Sequence, residues 1–219
     1  MAACSNIHEM SYGRADFERD LAVSHETAER LETYRALLAE WSARFNLIGP
    51  KELDLFWQRH AFDSAQLLSF APDARRWIDL GSGAGFPGLV IACLLADTPG
   101  AEITLVESST KKTGFLCEVA RATETPVKVV AQRIEDFTAT DRGRYDVVTA
   151  RALAPLPRLI EHAKPILDRG AQGLFPKGAS FDAELAAASR ALRAGGFKAD
   201  VLESKSDPRG RIIRITKAA

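Results

Sequence analysis

No apolar run in this 219-residue chain approaches the roughly 20 residues needed to cross a bilayer, and Met1 to Asp20 is too polar for a secretory core. A cytoplasmic protein with no membrane partner is therefore expected. Cysteine is scarce. Cys4, Cys93 and Cys117 are odd in number and lack C-x-x-C spacing, and the last two fall in apolar helical stretches. They read as reduced structural thiols, and neither a disulfide nor a metal site is indicated. Repeats and low-complexity tracts are also missing, so the chain is neither a solenoid nor a linker. Net charge is zero, from 29 basic and 29 acidic residues, yet the charges are unevenly spread. Residues 1–70 hold 7 basic and 11 acidic side chains (net −4), residues 71–141 hold 7 and 10 (net −3), and residues 142–219 hold 15 and 8 (net +7). That asymmetry is compatible with an anionic polymer docking on one face, although a solvated surface is the usual explanation of scattered lysines and arginines.

What is present is enough apolar sequence, 46% of the chain, for one sizeable core in one domain with an appendage. The organising stretch is Trp77-Ile-Asp79-Leu-Gly81-Ser-Gly83-Ala-Gly85-Phe-Pro87-Gly88. An apolar run breaks into alternate glycines and then into Leu89 to Leu95, which predicts a strand, a tight turn and a helix. Glycines tolerate positive φ and carry no Cβ, so such a turn lets a ligand approach the backbone. A dinucleotide fingerprint would place its third glycine three positions after the second, whereas Gly85 follows Gly83 by two. Asp-x-Gly-x-Gly-x-Gly after a first strand instead resembles motif I of class I S-adenosyl-L-methionine (AdoMet) methyltransferases.

Around this turn the chain divides into three parts. Residues 1–22 show no period and read as a loose tail. Residues 23–72 read as a helical cap: Leu31, Tyr34, Leu38, Trp41 and Phe45 recur at steps of three and four, and a second helix from about Glu52 to Phe70 carries Phe56, His60 and Leu67 on one side. There Arg59, His60 and Asp63 share a helical side, as a fastening of cap to domain or as a polar cluster beside a cofactor cleft. Residues 73–219 form the main α/β domain. Its second strand ends in Glu107, 26 residues after Gly81, about the offset at which an acid accepts ribose hydroxyl bonds. A carboxylate capping the helix that begins near Ser108-Ser109 is the plainer alternative. A third strand, Val127 to Ala131, precedes Ile134 and Glu135, placed where related folds bracket adenine. Arg151 emerges from the end of a fourth strand, where open α/β sheets bind ligands. A fifth strand ends in Lys177, and Phe197 to Glu203 and Arg211 to Thr216 read as a hairpin turned by Asp207-Pro208-Arg209-Gly210. The expected fold is a class I AdoMet-dependent methyltransferase domain, a Rossmann-like seven-stranded sheet with an antiparallel C-terminal hairpin, plus the N-terminal helical cap.

Taken together, the pieces resemble the RsmG (GidB) family of bacterial small-subunit ribosomal RNA (guanine-N7) methyltransferases. The matching residues are Trp41 with Phe45-Asn46-Leu47, Arg59-His60 with Asp63-Ser64, Asp79 to Gly88, Glu107 with Lys111-Lys112 and Phe115, Arg133-Ile134-Glu135, Arg151-Ala152 and Lys177-Gly178. The chain departs from the family at Ser42, where asparagine is common, and at Ala150, where serine is. The resemblance implies that S-adenosyl-L-methionine donates a methyl group to N7 of a guanine in the decoding-region (530) loop of 16S rRNA, with the small ribosomal subunit as partner. A monomer is expected. Cofactor contacts carry over to Gly81, Phe86, Ile134, Glu135 and Arg151. Gly83, Gly85 and Glu107 are added from the residues themselves. Arg151 is a candidate positioning residue, and Lys177 a candidate phosphate contact beside the C-terminal basic residues.

The chemistry suits what the sequence omits. Guanine N7 offers a lone pair and no proton, so methyl transfer there needs near-attack geometry and no general base. The Asn/Asp-Pro-Pro-aromatic motif of exocyclic amine methylation is absent, and no cysteine stands at a strand end. Other readings stay open. A methyltransferase for a small molecule or a protein would carry the same cofactor half, and so would an AdoMet-binding module without catalysis. A nicotinamide oxidoreductase would need the longer glycine spacing.

Overall fold

The computed structural model describes residues 12–218. Seven strands form one sheet: β1 (Arg76–Leu80), β2 (Glu102–Glu107), β3 (Val127–Ala131), β4 (Val147–Thr149), β5 (Gln172–Lys177), β6 (Phe197–Glu203) and β7 (Arg211–Lys217). Their order is β3-β2-β1-β4-β5-β7-β6, with β7 antiparallel to both neighbours and the other pairs parallel. Order reverses at β1, and its C-terminal edge is where such sheets open a crevice for ligands. The main-domain helices are α5 (Gly88–Leu94), α6 (Thr110–Ala122), α7 (Ile134–Thr140), α8 (Leu156–Leu167) and α9 (Phe181–Gly195).

Strand periodicity splits the core in two. Trp77, Ile103, Leu105, Val147, Leu174 and Ile212 point to one face, packed by α5 and α6, whereas Ile78, Leu80, Val106, Val148, Ile213 and Ile215 point to the other, packed by α8 and α9. The cap covers the first face. It comprises α1 (Arg14–Leu21), α2 (His25–Phe45), α3 (Pro50–Asp54), a π-helical turn over Phe56–Phe62, a short α4 (Asp63–Ala65) and a 3₁₀ turn over Gln66–Phe70. Ser24 caps α2, accepting from the Thr27 amide at 3.2 Å.

The structure departs from the sequence reading in three places. Residues 14–21 are not a loose tail: they form α1, whose Phe17 is fully buried and packs against Trp57 with ring centroids 5.3 Å apart. Residues 1–11, with Cys4, lie outside the described residues. The expected single helix from Glu52 to Phe70 is broken into α3, the π turn, α4 and the 3₁₀ turn. Within the π turn Phe56, Trp57, His60 and Ala61 are all buried. Finally, Phe45 ends the apolar stripe of α2 as an exposed ring, and Cys117 is exposed while Cys93 is buried.

The cap holds the glycine turn directly. Tyr34, fully buried on α2, donates its hydroxyl to the Ala84 carbonyl at 2.6 Å. Trp41 donates from Nε1 to Glu118 on α6 at 2.9 Å. Tyr34→Phe leaves that carbonyl without its donor, and we expect a loss of about 1–3 kcal/mol of stability. Urea denaturation measures it; a change below a few tenths of a kcal/mol would show that the contact carries no stability.

Candidate functional site

The turn after β1 places Gly81, Gly83 and Gly85 at φ +69, +56 and +97, all in the left-handed region. Their needs differ. A Cβ on Gly81 would stand 2.6 Å from the Leu153 side chain, and one on Gly85 would stand 2.4 Å from Leu89 and 2.8 Å from the Tyr34 hydroxyl. At Gly83 the nearest such atom is 3.8 Å away, so this glycine faces open space. Beneath the turn, Asp79 is buried and accepts from the Gly88 amide at 3.2 Å through one oxygen; among the described residues its Oδ1 has no partner. Burial raises the Asp79 carboxyl to about 7.

Glu107 is buried at the end of β2, where the plainer of the two sequence readings, a carboxylate at the start of the next helix, is the one its contacts follow. Its carboxylate accepts from the Gly83 amide at 2.9 Å through one oxygen and from the Ser109 amide, at the start of α6, at 2.8 Å through the other. It therefore caps the helix and stiffens the glycine turn while each oxygen keeps lone pairs for a further donor. Gly81, Gly83, Phe86, Glu107, Ile134, Glu135 and Arg151 line one cleft of about 670 Å³ over the sheet's C-terminal edge. Gly85 stays underneath, in the packing. The strand-order reversal thus brings all the expected cofactor residues but one to a single cavity.

A second cleft of about 800 Å³ adjoins the first, between the cap, the end of β5 and the β6–β7 turn. Arg151 and the following segment to Pro155 wall both. Ala152 has φ +52, an unusual conformation for a residue with a Cβ. The segment is braced from below: Lys177 donates to the Ala154 carbonyl at 2.9 Å and to Glu184 at 2.8 Å, and Glu184 accepts from the Leu156 amide at 2.9 Å. Lys177 lines the second cleft, but both contacts are internal, so a phosphate would have to take the place of one of them. The exposed cations on this cleft are instead Arg59 and Arg209.

Arg151 joins the sheet to the cap. Its guanidinium donates to His60 Nδ1 at 2.9 Å and to the Arg59 carbonyl at 3.2 Å, lies 3.6 Å from Asp63 Oδ2, and sits 4.8 Å above the Phe86 ring. Burial pulls its pKa down, opposed by Asp63. The His60 ring stacks on Phe86 with centroids 4.5 Å apart and an 18° interplanar angle. Burial, together with Arg151 and Arg59, lowers the His60 pKa to about 3, so the ring is neutral at physiological pH. Of the expected Arg59-His60-Asp63 face, the structure keeps His60 and Asp63 on Arg151, while the Arg59 side chain turns to solvent and only its carbonyl joins. The sequence reading missed Tyr34, Gln66 and Glu184. Gln66 accepts from the Lys205 amide at 2.7 Å and Ser206 donates to Asp63 at 2.6 Å, so the β6–β7 turn is fastened to the same cluster. Among the described residues no group of His, Cys, Asp and Glu could hold a metal ion, and no helix is long and apolar enough to cross a membrane.

A family model described as rRNA small subunit methyltransferase G (GidB) matches residues 27–213. The chain belongs to that family. Proteins named ribosomal RNA small subunit methyltransferase G are similar to it: one from Bradyrhizobium sp. (strain BTAi1) is 47% identical over 88% of this chain and 86% of its own, and one from Caulobacter vibrioides is 43% identical over 93% and 91%. The family match spans both the cap from α2 onward and the sheet, so Arg151 and its cap partners fall inside it. Among solved structures, a variant of MtNAS in complex with S-adenosylmethionine aligns with TM-score 0.56 and 17% identity over 97% of this chain and 86% of that one. Fibrillarin in its Nop5p complex aligns with TM-score 0.53 and 13% identity over 72% and 82%. At those identities the likeness shows the class I methyltransferase fold alone.

The raised pKa of Asp79 has a consequence for stability. Between its unfolded value near 4 and about 7, the folded protein holds a proton that the unfolded chain releases, so this residue's contribution falls as pH rises through that window. Asp79→Asn removes the dependence. Its stability relative to the parent protein should improve from pH 4 to pH 7, by up to about 1.4 kcal/mol per pH unit. Denaturant midpoints across that range measure it, and a constant difference would mean that Asp79 is ionised throughout.

Proposed function

We propose that the protein transfers a methyl group from S-adenosyl-L-methionine to N7 of a guanine in the 530 loop of 16S rRNA, within or on its way to the small ribosomal subunit. The observation that carries this reading is the position of Arg151 at the neck between two clefts, one built on the glycine turn and the other bordered by exposed arginines. Family membership supports the class of reaction and the small-subunit RNA, and the sequence resemblance supplies the guanine and its nitrogen.

The residues of the first cleft fit the cofactor. Glu107 has acceptor capacity for ribose hydroxyls, Ile134 offers an apolar surface for a purine face beside Glu135, and Gly83 leaves room for close approach. When bound there, S-adenosyl-L-methionine supplies an activated methyl group on a sulfonium. The protein's own task is then positional. The N7 lone pair of guanine forms the new bond without losing a proton, so no residue need act as a base. Positive charge passes to the purine, and the neck holds the reacting groups in line. Arg151 has five donors; His60 and the Arg59 carbonyl take two, and others remain for a carboxylate, a phosphate or guanine O6. It must not donate to N7, because that would occupy the attacking lone pair.

Mass analysis of 16S rRNA from a strain lacking the gene should show the loss of one 7-methylguanosine, restored by the gene in trans. Arg151→Ala should lower the rate by roughly 10²-fold or more while the far-UV circular dichroism stays unchanged. Calorimetry with S-adenosylhomocysteine tests the cofactor. No heat from the parent protein would sink the reading, and full activity of Arg151→Ala would remove that residue from the site.

A further inference from the structure

Resting on the methyl-transfer reading of these clefts, one residue outside the expected cofactor set has a definable part. Among the described residues, every hydrogen-bond and ion-pair partner of Arg151 lies in the cap between Arg59 and Asp63, and they are unequal. The Arg59 carbonyl belongs to the backbone, and Asp63 Oδ2 is 3.6 Å away, while its Oδ1 is held by Ser206 and Gln66. His60 Nδ1, at 2.9 Å, is the shortest of the contacts and the one made by a rigid ring.

That ring has little freedom. It is 5% exposed, lies flat on Phe86 of the glycine turn, and sits on the π turn that removed it from ordinary helical register. An arginine can only donate, so Nδ1 must be the unprotonated nitrogen and the proton must be on Nε2. Nε2 lies 3.2 Å from Glu52 Oε2, too poorly aligned for a hydrogen bond, and has no other partner among the described residues. The ring is thus used through one face and one lone pair. A phenyl or isobutyl group would fill the space as well, but neither could accept from Arg151.

We propose that His60 is a positioning residue for methyl transfer, whose Nδ1 lone pair fixes the plane of the Arg151 guanidinium at the neck between the two clefts. His60 itself touches neither cofactor nor guanine. It acts through Arg151, whose charge and place at the end of β4 survive its loss together with the rest of the cofactor cleft, so what is lost is the direction of the group that orients the reactants. The charged groups facing it are Arg151 and Arg59, which disfavour a second cation there, and Glu52 and Asp63, which do not outweigh burial.

The test uses the full chain with small ribosomal subunits lacking the methyl group, and compares His60→Leu, His60→Asn and His60→Gln. An asparagine oxygen stands close to where Nδ1 stands, whereas the glutamine amide reaches toward the Nε2 position. We expect His60→Leu to lower kcat tenfold or more, with the Kd for S-adenosylhomocysteine and the KM for the subunit changed less than threefold. His60→Asn should recover most of kcat and His60→Gln much less. If His60→Leu does not fold, the Asn and Gln pair decides alone. Equal activity of those two, a kcat of His60→Leu within twofold of the parent, or a loss confined to KM or cofactor affinity would overturn the assignment. A parent protein that places no methyl group on the subunit RNA would overturn the function reading and this proposal with it, whereas an active parent with an indifferent His60 overturns only the proposal.

Discussion

A guanidinium that stays charged in a largely buried position governs both clefts. Arginine cannot escape burial by losing its proton, so its surroundings must supply acceptors. At Arg151 the acceptors come from the cap, although the residue is anchored at the end of β4 in the sheet. Cap and sheet are joined by a polar contact whose partners would be costly to separate, because each would be left buried and unpaired. This explains why the cap is folded onto the first face of the sheet from α1 onward: Phe17, Leu31, Tyr34 and Phe56 supply the apolar contact, and Arg151 with His60 and Asp63 fixes the register.

The glycine turn shows how packing and ligand access divide one motif. Gly81 makes way for Leu153, and Gly85 for Leu89 and Tyr34, so two of the three alternate glycines are required by neighbours in the fold. Only Gly83 has open space above it, and its amide is held by Glu107. Leu153 belongs to the segment that separates the clefts, and Lys177 with Glu184 braces that segment from beneath. The left-handed Ala152 is thereby over-determined on both sides, which is the condition under which backbone strain persists.

Much of this was legible in the residues and some was not. Short apolar runs bounded by turn residues located the strands, and the Asp-Pro-Arg-Gly turn located the terminal hairpin, because both signals are local. The offset from Gly81 to Glu107 was readable for the same reason: strand, turn, helix and strand have nearly fixed lengths. Local patterns could not reveal the π turn, because burial of Phe56, Trp57, His60 and Ala61 is equally compatible with an ordinary apolar helical face and their partners lie far away in sequence, Phe17 for Trp57, Tyr34 for Phe56 and Phe86 for His60. Nor could they reveal that Lys177 spends its charge on Glu184, a pairing that depends on how α9 lies against the end of β5. Helix α1 was missed because its eight residues carry a single fully buried side chain, Phe17, too few to show a period.

A chain with no net charge is at first sight poorly suited to a polyanion, since nucleic acid affinity grows with the number of phosphates neutralised. The resolution lies in where opposing charges are placed. In the second cleft, Glu52, Asp63, Glu184 and Asp207 accompany Arg59, Arg151, Lys177, Arg209 and Arg211. The acids Asp63 and Glu184 are committed to inward contacts, holding Arg151 and Lys177. The outer pairs, Arg59 with Glu52 at 3.7 Å and Arg209 with Asp207 at 3.5 Å, are long and solvent-exposed, so they contribute little and yield readily to a phosphate. Carboxylates thus orient the buried cations while the rim keeps its positive charge available. A strongly basic surface would bind any RNA, whereas a neutral protein with a small cationic rim around a shaped neck favours a strand that also fills the neck.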